Sequence, residues 1–188
     1  LLEVLARRIK GAAALALCER IVRSYSTSAG KGLPIGALTS QHFANAYLAD
    51  FDRFLLEHAS VRGMVRYMDD VVWWCDGRGE ARDVLLEARE FLRARRGLEL
   101  KDNVQVQPSA RGVLVCGFRV TPRRMLLSAR RRRRFRSARA AWERASQAGS
   151  IDAYELQRGY SAALAITAHA DALEWRRAQL ERVPPVDA

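Results

Sequence analysis

Cysteine, histidine and long apolar runs are all scarce in this sequence, and each shortage excludes a class of protein. The 3 cysteines, Cys18, Cys75 and Cys116, are odd in number and far apart, so neither a disulfide framework nor a zinc site is expected. The 3 histidines are equally scattered. The chain has no signal peptide and no apolar run long enough to cross a bilayer, so we expect a cytoplasmic protein without a membrane partner.

Lysine is scarce as well, although the chain is strongly basic. Only Lys10, Lys31 and Lys101 are lysine among 32 basic residues, and the net charge is +11. Arginine forms bidentate pairs with phosphate oxygens and stacks on bases, so a basic globular chain most often binds nucleic acid or an acidic membrane surface. An arginine bias from GC-rich coding DNA is a second explanation for part of this excess.

The most informative stretch is a Tyr-Met-Asp-Asp tetrad at residues 67–70, which lies between two runs of β-branched and aromatic residues. Such runs favour strands, so the tetrad is expected to form the tight turn of a β-hairpin. The turn type stays open because the favoured Asn-Gly or Asp-Gly is absent. Two adjacent carboxylates at an exposed tip are ligands that Mg²⁺ prefers, although an isolated Asp-Asp pair is more often a solvated acidic turn.

Around this hairpin, periodicity predicts an α+β domain with helices packed on an antiparallel sheet. The 188 residues of the chain are enough for one or two domains with a hydrophobic core. We expect Thr39 or Ser40 to cap the third helix. Helices are predicted over residues 1–9, 12–25, 39–58 and 80–95, and strands over 98–101, 104–107 and 113–120.

The loop at residues 27–36 contains three glycines and Lys31 before the third helix. Small residues beside a helix start expose backbone N–H groups, which suits the phosphates or sugar of a nucleotide. The spacing is not that of a P-loop, and a plain connector before a core helix explains the loop about as well.

Beyond Thr121-Pro122 the composition becomes rich in alanine, leucine and arginine. Nine arginines occur within residues 123–139, which is too dense a run for an ordinary solvated helix face. Further helices are predicted over residues 151–163 and 165–182, with Gly149-Ser150 between the basic helix and the next one. A basic helical unit of this kind would follow a phosphodiester backbone.

Taken in order, these segments resemble a reverse transcriptase along nearly the whole chain. The tetrad is similar to the polymerase signature of that family, and Gly32-Leu33-Pro34-Ile35-Gly36 with Ser40-Gln41 and Phe43-Ala44-Asn45 is similar to its preceding motif. Leu98–Lys101 and Gly117-Phe118 fall where the family has later palm motifs. Ile35-Gly36, in place of the more usual Gln-Gly, resembles the enzymes of diversity-generating retroelements. Group II intron and retron enzymes are the nearest alternatives.

The resemblance implies a partial fingers and palm region over residues 1–121 and an all-helical basic thumb over 122–188. It implies nucleotidyl transfer, that is, DNA synthesis on an RNA template from a DNA primer and dNTPs. Two Mg²⁺ ions, or Mn²⁺ in their place, would assist the reaction. A small basic accessory protein is a further expected partner. Loose selection opposite adenine is characteristic of the retroelement group, and Ile35 is the residue here that points to it.

The resemblance also assigns residues. Asp69 and Asp70 would hold the metal ions, and Lys101 would donate a proton to pyrophosphate. The nucleotide or template would contact Gly36, Ser40, Gln41, Tyr67 and Met68. The primer would be gripped by Gly117 and Phe118, and the nucleic-acid backbone would be held by Arg130, Arg131, Arg132, Arg133, Arg134 and Arg136.

One part of the family pattern has no counterpart here. The family needs another catalytic aspartate upstream of the first helix, where only Glu3 and Glu19 are acidic and both fit helix surfaces. We therefore expect that the chain begins after the first metal-binding motif and that these 188 residues alone do not synthesise DNA. A catalytically inactive nucleic-acid-binding module and an abortive-infection polymerase are the alternative functions.

Overall fold

The computed structural model describes residues 1–27, 30–34 and 36–186, and it confirms the α+β class. The helices are α1 (Leu2–Arg8), α2 (Ala12–Arg23), α3 (Leu38–Glu57), α4 (Arg78–Arg96), α5 (Ala129–Gln147), α6 (Ala153–Ala165) and α7 (Leu173–Arg182). The strands are β1 (Gly63–Tyr67), β2 (Asp70–Trp74), β3 (Val113–Val115), β4 (Phe118–Val120) and β5 (Met125–Leu127). Within the described part of the chain, none of the helices combines the length and apolar character that a membrane span requires.

The chain divides into two compact units, Leu1–Val106 and Gln107–Ala188. The β1–β2 hairpin belongs to the first unit, and the antiparallel sheet β3–β4–β5 belongs to the second. The unit border precedes the predicted palm–thumb border at residues 121/122, because β4 pairs with both β3 and β5 and so keeps these strands in one unit.

The core of the first unit lies between α3 and α4. Phe51 and Leu55 of α3 pack against Val84, Ala88 and Leu92 of α4, and all five are almost fully buried. Within each helix these residues are four apart, so they form one apolar stripe. The hairpin packs Met64, Val71 and Trp73 against this stripe, which leaves its other face to solvent.

The core of the second unit lies between α5 and α6, with Phe135, Leu156 and Ala163 buried. Gly159 of α6 allows the two helices to approach closely. A Cβ built there would lie 2.3 Å from Cδ2 of Trp142, so no larger residue fits without repacking.

Several local predictions are wrong. Residues 98–101 and 104–107 are not strands: Gly97 ends α4 in a left-handed conformation, and the Leu98 amide donates to the Leu92 carbonyl instead of to a strand partner. Ala37, not Thr39 or Ser40, precedes α3 as its N-cap. The segment 122–188 is not all-helical, because β5 lies near its start.

The predicted helices over 151–163 and 165–182 are also shifted. α6 begins after Asp152, whose side chain accepts a hydrogen bond from the Glu155 amide at 2.7 Å. Residues 166–172 lie outside the helices, so α7 begins only at Leu173.

Candidate active site and candidate nucleic-acid interface

The Tyr-Met-Asp-Asp tetrad forms the predicted hairpin turn. Tyr67 pairs with Asp70, so Met68 and Asp69 are the two loop residues. Met68 has a φ of 55°, in the left-handed region that residues other than glycine rarely adopt. Such a conformation costs about 1–2 kcal/mol, so contacts elsewhere must hold the turn.

Both aspartates of the turn are exposed. The Asp69 side chain is 78% accessible, and its Oδ2 lies 3.6 Å from the Nζ of Lys101, which is 77% accessible. An ion pair this exposed adds little to stability. The structure therefore brings together two of the predicted catalytic groups, and it leaves the Asp69 carboxylate open to solvent.

The turn offers the right kind of ligand for Mg²⁺ in its two adjacent carboxylates. Carboxylate oxygens suit Mg²⁺, whose coordination is octahedral. Within residues 1–27, 30–34 and 36–186, no three His, Cys, Asp or Glu side chains gather where they could hold one ion. Mg²⁺ is commonly held by one or two carboxylates together with water and substrate phosphates, so Asp69 and Asp70 are candidate ligands for it.

Arg66, which the sequence did not single out, is the most highly connected side chain near the turn. Its Nε and Nη2 donate to the two carboxylate oxygens of Asp52, each at 2.6 Å. Its Nη1 donates to Oδ1 of Asn45 and to the backbone carbonyl of Met68, each at 2.8 Å. The hydrogen bonds to Asp52 raise the pKa of the Arg66 guanidinium, which therefore stays charged.

The start of α3 carries the residues predicted to contact a nucleotide. Gln41 is exposed, and it precedes Asn45 by one helical turn, or about 6 Å along the axis. Ser40 Oγ donates to the carbonyl of Pro34 at 2.6 Å, so this hydroxyl holds the preceding loop. Gly36 is exposed with a φ of 84°, and Ile35 lies outside the described residues.

The exposed face of the hairpin carries Val65, Tyr67 and Trp74, which are 57%, 56% and 40% accessible. In an antiparallel hairpin, alternate residues of each strand share a face, and Tyr67 lies at the tip of this one. Tyr67 is therefore placed beside the carboxylates and is open to contact by a ligand.

In the second unit, the predicted primer-gripping residues form another hairpin turn. Val115 pairs with Phe118, so Cys116 and Gly117 are the loop residues, with φ values of 49° and 80°. The guanidinium of Arg131 lies 4.0 Å from the centre of the Phe118 ring. Arg131 also donates to the carbonyls of Cys116 at 3.3 Å and Ile166 at 3.0 Å. Arg131 is thus occupied by contacts within its own unit.

The arginines of α5 differ in their surroundings. Arg139 is buried with Glu143, and Arg136 donates to Gln179 at 2.7 Å. Arg132 is half-buried, with its guanidinium 5.9 Å from the ring of Trp175.

A second group of arginines on α5 is exposed. No hydrogen bond or ion pair joins their side chains to other described residues. Helical spacing places three of them opposite the buried Phe135, and Arg134 about a quarter turn from it. These residues, here called the exposed arginine face, are Arg130, Arg133, Arg134 and Arg144.

Two comparisons of the sequence with known proteins gave no match. No protein-family model matches the chain, and no curated protein matches it at a significant level. Any assignment of function therefore depends on the residues and their geometry.

Proposed function

We propose that this chain is part of an RNA-directed DNA polymerase, of the kind found in diversity-generating retroelements, and takes part in template-directed nucleotidyl transfer. The observation that carries the proposal is the turn at residues 68–69, where two adjacent, exposed carboxylates follow a strained residue on a well-anchored hairpin. Arg66, whose side chain is largely buried, donates to the carbonyl that precedes Asp69 and so fixes the peptide that leads into the first carboxylate. The motif at residues 32–41, which leads into α3, supports the same function.

In this proposal Asp69 and Asp70 are two of the carboxylates that bind divalent metal, and a third carboxylate is needed beside them. The bound ions would lower the pKa of the primer 3′-hydroxyl and stabilise the leaving pyrophosphate. Lys101, whose Nζ lies 3.6 Å from Asp69 Oδ2, would donate a proton to the pyrophosphate at the same site. Gln41, Tyr67 and Met68 are the candidates for contact with the incoming nucleotide or the template.

The exposed arginine face of α5 is the proposed contact for the nucleic-acid backbone. Arg130, Arg133 and Arg134 follow one another along one side of the helix, with no carboxylate paired to them in the described part of the chain. Guanidinium groups in such a row suit successive phosphates. Arg131 is committed to Phe118 and to backbone carbonyls, so it would support the primer-gripping turn instead.

The proposal is tested by primer extension on an RNA template with the chain extended by its upstream coding sequence. Asp69→Asn removes one negative charge and keeps the side-chain shape. We expect DNA synthesis to fall by at least about 1,000-fold, in line with the loss of a group that stabilises the transition state. Affinity for template–primer should change less than about threefold, since the phosphate contacts remain.

Asp76→Asn is the matched control. Asp76 is an exposed carboxylate just after β2 that pairs with Arg62, far along the hairpin from the turn. Synthesis by this variant should equal that of the unmodified protein. Equal synthesis by the Asp69→Asn variant, or no synthesis by the extended protein itself, would exclude the polymerase proposal.

A second candidate function is a nucleic-acid-binding module without catalysis. The observation in its favour is the exposed arginine face of α5, which would contact a nucleic-acid backbone with or without catalysis. The same assay separates the candidates, because such a module would bind template–primer and never extend it. DNA synthesis that does not need a template would instead indicate the abortive-infection type of polymerase.

A further inference from the structure

The strained turn and the helix α3 are joined through one side chain. The Met68 carbonyl immediately precedes Asp69 and accepts a hydrogen bond from Arg66 Nη1 at 2.8 Å. The same nitrogen donates to Asn45 on α3, also at 2.8 Å. The peptide that leads into the first carboxylate is therefore tied to the helix through one guanidinium.

The anchor on α3 is itself rigidly built. Asp52 accepts two parallel hydrogen bonds from Arg66, and the Arg66 side chain is only 9% accessible. Asn45 and Asp52 are seven residues apart, so they lie on the same side of α3, about 10 Å apart along its axis. Arginine alone can make this set of contacts, because its planar fork donates in three directions at once whereas lysine donates from a single nitrogen.

We infer that Arg66 is a positioning residue for the metal-binding carboxylates, with Asn45 and Asp52 as its fixed points. The inference rests on the proposed function, since it concerns the same turn. Arg66 holds the Met68 peptide in its left-handed conformation, and that conformation directs Asp69 and Asp70. Groups that orient metal ligands in this way typically change metal affinity or activity by about 10–100-fold when they are replaced.

The test replaces Arg66 with lysine in the extended protein and follows Mn²⁺ binding by electron paramagnetic resonance, beside the Mg²⁺ dependence of primer extension. We expect Mn²⁺ to bind about 10–100-fold more weakly and the Mg²⁺ concentration for half-maximal synthesis to rise by a similar factor. Template–primer affinity should stay unchanged, since Arg66 is not exposed to a ligand.

Arg62→Lys is the matched control, because Arg62 is on the same hairpin and pairs only with the exposed Asp76 and the Ala59 carbonyl among the described residues. It keeps the charge and should leave both metal measurements unchanged. Asn45→Ala is a milder second variant that retains the Asp52 pair, and it should weaken Mn²⁺ binding in the same direction as Arg66→Lys but less. It decides the question if the Arg66→Lys protein does not fold.

The outcomes are distinguishable. If Arg66→Lys and Asn45→Ala lower thermal stability and leave Mn²⁺ binding unchanged, Arg66 only supports the fold and the inference is wrong. If Asp69→Asn leaves Mn²⁺ binding and synthesis unchanged, the turn does not hold metal and the proposed function itself is wrong.

Discussion

Two hairpin turns in the described part of the chain, at residues 68–69 and 116–117, have the same construction but differ in their loop residues. In each, the first loop residue has a positive φ without being glycine: Met68 at 55° and Cys116 at 49°. In each, an arginine donates to the carbonyl of that residue, Arg66 in the first unit and Arg131 in the second. The second loop residue is Gly117 in one turn and Asp69 in the other.

The loop residues decide how much each turn depends on its arginine. Glycine adopts a φ of 80° at Gly117 without steric cost, so the second turn favours its own geometry. The first turn has no glycine, and Arg66 ties it to α3: one hydrogen bond goes to the Met68 carbonyl, and three go to Asn45 and Asp52. Asp69 is not among the residues with a positive φ, so the first turn needs no glycine at its second loop position and can carry a carboxylate there.

The largest expected effect tests the role of Arg131. It either supports a turn, as Arg66 does, or contacts nucleic acid, as its exposed neighbours on α5 are proposed to do. Replacing Arg130, Arg133 and Arg134 by glutamine should lower the affinity for duplex DNA by about two to three orders of magnitude in 0.1 M salt. The slope of log K against log salt should fall by about 3, and stability should hardly change. Arg131→Gln should do the opposite, lowering stability by about 1–2 kcal/mol with at most one unit of slope lost. Filter binding over a salt series and chemical denaturation measure the two effects.

A matched control separates position from net charge. Arg82, Arg93 and Arg95 are exposed on α4, whose surface also carries carboxylates such as Glu90 beside Arg93. Their replacement by glutamine removes the same charge and should reduce the slope by less than about 1. An equal loss from both triple variants would mean that DNA responds only to the net charge of the chain.

The helices and the hairpin could be predicted from sequence because their signals are local. The apolar stripe of α3 and α4 and the alternation on both sides of the tetrad depend on neighbours a few residues apart. The predicted strands at 98–101 and 104–107 failed for the opposite reason, since alternation does not create a strand without a partner to pair with. The short strand β5 has only three residues, too few for a periodic signal.

The anchoring network could not be predicted in the same way. Arg66 is 14 residues from Asp52 and 21 from Asn45, so only the fold brings them together. For the arginine-rich helix a signal did exist: Phe135 and Trp142 mark the inward side of α5, and helical spacing from them separates Arg139 from Arg133. Which turn Arg131 supports still depends on the position of the β3–β4 hairpin, which local spacing does not give.

A smaller effect tests how firmly Arg131 is held. A Cβ at Gly117 would lie 2.8 Å from Arg131 Nε, in a backbone conformation with a φ of 80°. Gly149 supplies the control, because its φ is 67° and no atom lies within 4 Å of the added Cβ. Both alanine variants bear the cost of positive φ, about 1 kcal/mol, and Gly117→Ala should lose about 1 kcal/mol more. Denaturant unfolding measures both, and equal losses would mean that Arg131 moves aside freely.

The smallest expected effect returns to Met68. If its φ of 55° is strain held in place by Arg66, then Met68→Gly relieves that strain and should stabilise the chain by about 0.5–1 kcal/mol, less the flexibility that glycine adds to the unfolded state. Arg66→Lys should then cost less stability in the Met68→Gly protein than in the unmodified one, because less strain depends on the anchor. A double-mutant cycle by denaturant unfolding measures this coupling, which should be at least about 0.5 kcal/mol. Additive changes in the free energy of unfolding would mean that Arg66 stabilises the fold independently of the turn. The two turns would then share an arginine contact in their geometry, but the contact with Arg66 would not hold the Met68 conformation.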